Sequence, residues 1–179
     1  MVSRKYIKDY KLSESVTERG GIRTESVYVG GDYRLTASQS QVRALRTRIL
    51  ICTVCAWCAF LAALLPETRG SHLLYVALPH AFIALPLFLM SQCVWYLRAG
   101  RGPYTHERAD KISRELPVRA AFTAGLAGVA LIGLLIGLLT GPDKMLPGDL
   151  IFALGDAVIA VCGVLIFTRR GQLSAKKCG

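Results

Sequence analysis

The stretch Leu150–Phe167 reads LIFALGDAVIAVCGVLIF: 18 residues with no Lys, Arg or Glu and a single acid, Asp156. A helix rises about 1.5 Å per residue, so this run covers about 27 Å, close to the apolar thickness of a bilayer. Three further runs match it: Ile49–Leu65 with 17 residues, Leu73–Leu97 with 25 and Ala120–Leu139 with 20. None contains a charged residue. Four such runs in one chain predict an all-α membrane protein rather than buried core helices of a soluble one.

Working outward, the remainder of the 179-residue chain is rich in charge, with a formal net charge of +10 despite 53% hydrophobic residues. Twenty of the 22 Lys and Arg lie in residues 1–48, 98–119 and 168–179; only Arg69 and Lys144 lie in the two other connections. The positive-inside rule therefore predicts that both termini and the middle connection are cytoplasmic, in a multi-pass protein of the cell membrane. The connections Pro66–His72 and Gly141–Asp149 are short and rich in Gly and Pro, which leaves no room for an outer domain. The expected fold is an antiparallel four-helix transmembrane bundle (38–167), a tail at 1–37 and a basic tail at 168–179. The expected partners are a bilayer with an anionic inner leaflet and a homo-oligomer or membrane-protein partner. The basic residues read as lipid-facing, so no nucleic acid is expected. Arg43, Arg46 and Arg48 are expected at the lipid headgroups.

The tail carries a near-repeat, with Glu14-Ser15-Val16 before Gly20-Gly21 and Glu25-Ser26-Val27 before Gly30-Gly31. Each Gly-Gly suits a two-residue hairpin turn. Centring turns there pairs Glu18 with Arg23, Thr17 with Thr24 and Tyr28 with Tyr33, a small three-stranded cytoplasmic β-meander over 12–36. Ser38 and Gln41 have capping-box spacing and open the first helix. A cytoplasmic helix is expected at 105–116, ending before Pro117, with favourable pairs Glu107–Lys111 and Asp110–Arg114.

Inside the runs, His80 and Asp156 stand out, because ionisable groups in a membrane are costly and mark a site or a clamp. His80 lies seven residues into its run and Asp156 six into its own, so both sit about 9–11 Å deep and can meet. Pro79, Pro86 and Gly155 lie beside them. In the third run Ala121, Gly125, Gly133 and Gly137 form a face of small residues that lets helix backbones approach. Gln92 reads as a packing hydrogen bond.

The six cysteines do not form an extracytoplasmic framework. Cys52, Cys55 and Cys58 have the spacing C-x-x-C-x-x-C, but the fourth cysteine and the proline of an iron–sulfur run are missing, and packing explains them. His106-Glu107 opens like a zinc helix, but Asp110 stands where the second histidine belongs, which leaves two ligands. There is no phosphate loop, dinucleotide fingerprint or nucleophile elbow. The expectation is a non-enzymatic subunit or accessory of a membrane assembly, with no metal and no cofactor, that binds a partner through its N-terminal element. The alternative is a small oligomeric proton-coupled transporter or channel using His80 and Asp156.

Overall fold

The computed structural model describes residues 4–16, 22–68, 72–99, 104–140 and 146–178. The molecule is mostly helical. Its long helices are α1 (Gln39–Leu64), α2 (Leu74–Ala99), α4 (Leu116–Thr140) and α5 (Pro147–Thr168). A short helix α3 (His106–Asp110) precedes α4. All four long helices are long and apolar enough to cross a membrane. In the most apolar stretch of each, only 28–39% of the residues are buried. Outward-facing side chains include Ile51, Leu61, Phe82, Phe88, Trp95, Phe122, Leu135 and Leu154. So continuous an apolar surface is unfavourable in water and suits a lipid environment.

The helix ends follow from local chemistry. Ser38 caps α1: its backbone N–H donates to Gln41 Oε1 at 3.0 Å, and Gln41 N–H donates to Ser38 Oγ at 3.4 Å. The helix stops just before Pro66, which disfavours helical geometry at the preceding residue. Pro147 occupies the first turn of α5, where a missing N–H costs nothing, and Asp149 Oδ2 accepts from Leu146 N–H at 2.9 Å.

The expected stop before Pro117 does not occur. Residues Lys111–Glu115 form a π-turn that joins α3 to α4 in one continuous helical segment, His106–Thr140. Leu116 N–H reaches Lys111 O, five residues back. Pro117 has no N–H to offer Ser113, and the widened turn just before it accommodates that loss. The expected ion pairs lie on this segment, Lys111–Glu107 at 2.7 Å and Arg114–Asp110 at 3.9 Å.

Helix α1 packs on α2 and α5, and α4 packs on the same two. Small residues set the approach. A Cβ on Gly163 would meet Ala120 O at 2.6 Å, and one on Gly155 would meet Ala59 O at 3.0 Å. Ile83, Leu87, Met90, Leu97, Ile159 and Ile166 fill the larger apolar cluster between the helices. A smaller one holds Ala63, Val76, Leu134 and Phe152.

The strands correct the expected meander. Strands β1 (Tyr10–Val16) and β2 (Ile22–Tyr28) form one antiparallel pair; β3 (Tyr33–Leu35) pairs instead with β4 (Ala175–Lys177). The register also differs. Thr24 lies opposite Glu14 and Arg23 opposite Ser15, not opposite Thr17 and Glu18; the expected turn at Gly20-Gly21 lies outside the described residues. Tyr28 faces Tyr10 rather than Tyr33, with their rings edge to face at 5.3 Å. The physical reason lies just after β2. Val29 and Gly30 N–H both donate to Asp9 O, at 2.8 and 3.2 Å, and this carries the chain past the start of β1 instead of back along β2. Tyr33 then exchanges both backbone hydrogen bonds with Tyr104, at 3.0 and 2.8 Å. Beyond it, Thr36 N–H donates to Ser174 O and Cys178 N–H to Asp32 O. The residues before α1, before α3 and after α5 are thereby tied together at one end of the molecule.

Candidate functional site

His80 on α2 and Asp156 on α5 meet between the helices. His80 Nδ1 lies 2.8 Å from Asp156 Oδ1, and the side chains are 3% and 0% exposed. The equal depths read from the sequence are what let two helices distant in the chain supply one pair. The imidazole is walled by rings: Phe60 stacks on it at 5.0 Å and 17°, and Phe152 lies at 4.6 Å and 42°. The pair therefore sits where the two apolar clusters join, since Phe60 belongs to the larger and Phe152 to the smaller. Gly155, next to Asp156, lets α5 close onto Ala59 and Ala63 of α1, which brings the carboxylate inside.

Two atoms of the site are unmatched: among the described residues, His80 Nε2 and Asp156 Oδ2 are buried without a hydrogen-bond partner. The Nδ1–Oδ1 hydrogen bond engages two of the four polar side-chain atoms of the pair. The rest faces apolar walls, where an unpaired polar atom is costly. The arrangement can clamp α2 to α5. It can also hold a proton on either Nε2 or Oδ2.

The other sequence-selected residues are placed as follows. Gly133 and Gly137 pack within the chain, against Val76 and Tyr75, and against Leu73. Gly125 does not join them: among the described residues, nothing stands within 4 Å of where its Cβ would be. Ala121 is half-buried beside Leu89 and Phe122. The small face thus divides into an inward half and an outward half. Arg43 and Arg48 are exposed and Arg46 is half-buried at the start of α1. Cys55 and Cys58 point outward, and Cys52 is half-buried. Gln92 is exposed; the neighbouring Ser91 accepts the hydrogen bond from Trp57 Nε1 at 2.8 Å instead. One helical residue is a turn of about 100°, enough to exchange which side chain faces α1.

A second cluster was not legible in the sequence. His106, at the start of α3, has Nδ1 at 2.8 Å from Asp9 Oδ2, stacks on Tyr33 at 5.0 Å and meets Tyr6 edge-on at 5.3 Å. Its backbone N–H donates to Tyr28 Oη at 2.9 Å, and Tyr6 Oη donates to Asp110 Oδ2 at 2.7 Å. Burial pushes the Tyr104 phenol above its ordinary range, opposed by the charge of Arg46, so it stays neutral. Tyr6 and Tyr28 are thus pins that hold the N-terminal residues onto α3. Arg119 was also missed. Its guanidinium turns inward and donates to Leu89 O at 2.7 Å, to Cys93 Sγ at 2.9 Å and to Glu115.

No known protein family, curated protein or solved structure matches the chain.

Proposed function

We propose that the protein is a multi-pass protein of the cell membrane, an antiparallel four-helix transmembrane bundle with both termini in the cytoplasm. It acts as a non-enzymatic subunit or accessory of a membrane assembly, either with further copies of itself or with another membrane protein. The cytoplasmic N-terminal element binds the partner. One observation carries the reading. The β1–β2 pair displays Leu12, 78% exposed, and Val27, and among the described residues neither of its edges has a third strand. A two-stranded pair is marginal alone and is completed by strand addition. The sealed state of His80 and Asp156 also favours a clamp over a pathway. The test is copurification of the full chain in mild detergent, with mass spectrometry of what stays bound. A stoichiometric partner should be retained by the native chain and lost on Leu12→Lys with Val27→Lys, with helix content unchanged. A lone monomer that retains nothing overturns the reading.

A second reading is a small oligomeric proton-coupled transporter. It is favoured by Nε2 and Oδ2, which among the described residues have no hydrogen-bond partner to fix a proton in place. Asp156→Asn in proteoliposomes should then abolish flux driven by a pH gradient; unchanged flux removes this reading.

A further inference from the structure

A groove of about 200 Å³ runs between the start of α1 and the end of α5. Arg48 and Arg169 line it together with Leu45, Ile51, Cys52 and Leu165. Both arginines are exposed, and among the described residues neither takes part in an ion pair. No acid offers itself nearby in sequence either. Between Asp32 and Glu67, and again after Asp156, the chain has no Asp or Glu, yet these two stretches hold Arg34, Arg43, Arg46, Arg48, Arg169, Arg170, Lys176 and Lys177. The wider groove on the α2–α4 side makes the contrast. It is lined by Leu85, Leu89 and Phe122, but its one cation, Arg119, is already bound to Glu115 and Leu89 O.

We infer that the α1–α5 groove binds one anionic phospholipid. Its phosphate is held between Arg48 and Arg169, and an acyl chain runs inward over Ile51, Cys52 and Leu165. This rests on the membrane-spanning reading of the four helices. The order of residues supports the pose. Along α1, Ile51 and Cys52 follow Arg48; along α5, which runs the other way past it, Leu165 precedes Arg169. Apart from Leu45, one turn before Arg48, the apolar wall therefore lies on the span side of the two arginines. A guanidinium pair matches phosphate oxygens in geometry as well as charge. Basic pockets between spanning helices are where anionic headgroups lodge.

The test uses the full chain, purified in neutral detergent, delipidated, and mixed with phosphatidylglycerol or phosphatidylcholine of identical acyl chains. Native mass spectrometry counts the lipids retained. One phosphatidylglycerol should be retained in preference to phosphatidylcholine. Arg48→Gln with Arg169→Gln should reduce that retention by about tenfold or more. Leu165→Trp, which fills the groove without changing charge, should also reduce it. Lys176→Gln with Lys177→Gln, an equal loss of charge outside the groove, should leave it unchanged. Equal losses from the lysine and arginine pairs would mean diffuse attraction and would overturn the site. So would full displacement by millimolar inorganic phosphate, which would make it a free-anion site. Extraction of the protein from membranes by alkaline carbonate is the separate sign that the membrane-spanning reading itself is wrong. Loss of lipid selectivity in a carbonate-resistant chain rejects the groove alone.

Discussion

His80 lies between two phenyl rings with one nitrogen bonded to Asp156 and the other facing apolar walls. Pairs of this kind respond unevenly to substitution. Removing one partner leaves a buried polar group unpaired, which costs about 3–5 kcal/mol, whereas replacing both by apolar residues is often neutral. Asp156→Ala or His80→Ala should therefore lower the thermal unfolding midpoint in detergent clearly. His80→Leu combined with Asp156→Leu should return it close to the native value. A double variant that is as unstable as the worse single one would mean the pair does more than clamp. The residues of this site were legible because charge is rare in apolar runs. The flanking Phe60 and Phe152 were not, because a phenylalanine in such a run looks like any other lipid-facing or core residue.

At the scale of the element, glycines decide how closely the helices approach, and they are not equivalent. On α5, a methyl group at Gly163 would lie 2.6 Å from the backbone oxygen of Ala120, which has no rotamer to move. Overpacking of this kind costs about 1–3 kcal/mol. At Gly125 on α4 nothing described lies within 4 Å, and replacing a helical glycine by alanine gains about 0.5–1 kcal/mol in chain entropy. Gly163→Ala should thus destabilise the protein, and Gly125→Ala should leave it unchanged or slightly stabler, as read by thermal unfolding monitored by circular dichroism. The sequence drew attention to α4 because its glycines are spaced as G-x-x-x-G. The closest approaches to a neighbouring backbone oxygen involve Gly148, Gly155 and Gly163 of α5. Their spacings of seven and eight residues also return to one helix face, a pattern that was open to reading. The sequence predicts a stop before Pro117 because proline usually ends a helix; the π-turn Lys111–Glu115, closed by Leu116 N–H, removes the conflict.

At the scale of the whole molecule, the end carrying the strands is a knot of distant segments. Thr36 N–H bonds to Ser174 O, while Tyr33 N–H bonds to Tyr104 O. Deleting residues 174–179 should therefore expose the Thr36 amide to rapid hydrogen exchange and leave the Tyr33 amide protected. Equal protection of both after the deletion would mean that β4 contributes nothing to holding β3. The proposed orientation is tested on the same scale. With the native cysteines replaced, a single cysteine at the exposed Glu67 should react with a membrane-impermeant maleimide on intact cells. One at Ser38 should react only after permeabilisation. The reverse pattern would invert the topology.

The sequence by itself determined the four long apolar helices, their approximate limits, the cap at Ser38 and that His80 and Asp156 lie at similar distances from the ends of their runs. These follow from run length, hydropathy and spacing along a single segment, where the physics is local. Only the tertiary structure decided that His80 and Asp156 touch, that β3 leaves β2 for β4, and that Gly133 packs inward while Gly125 does not. Each of these depends on which faces of separate helices and strands are brought together. A rotation of one residue, as between Ser91 and Gln92, or a register shift of three, as from Thr17 to Glu14 opposite Thr24, changes every partner while leaving the local pattern intact.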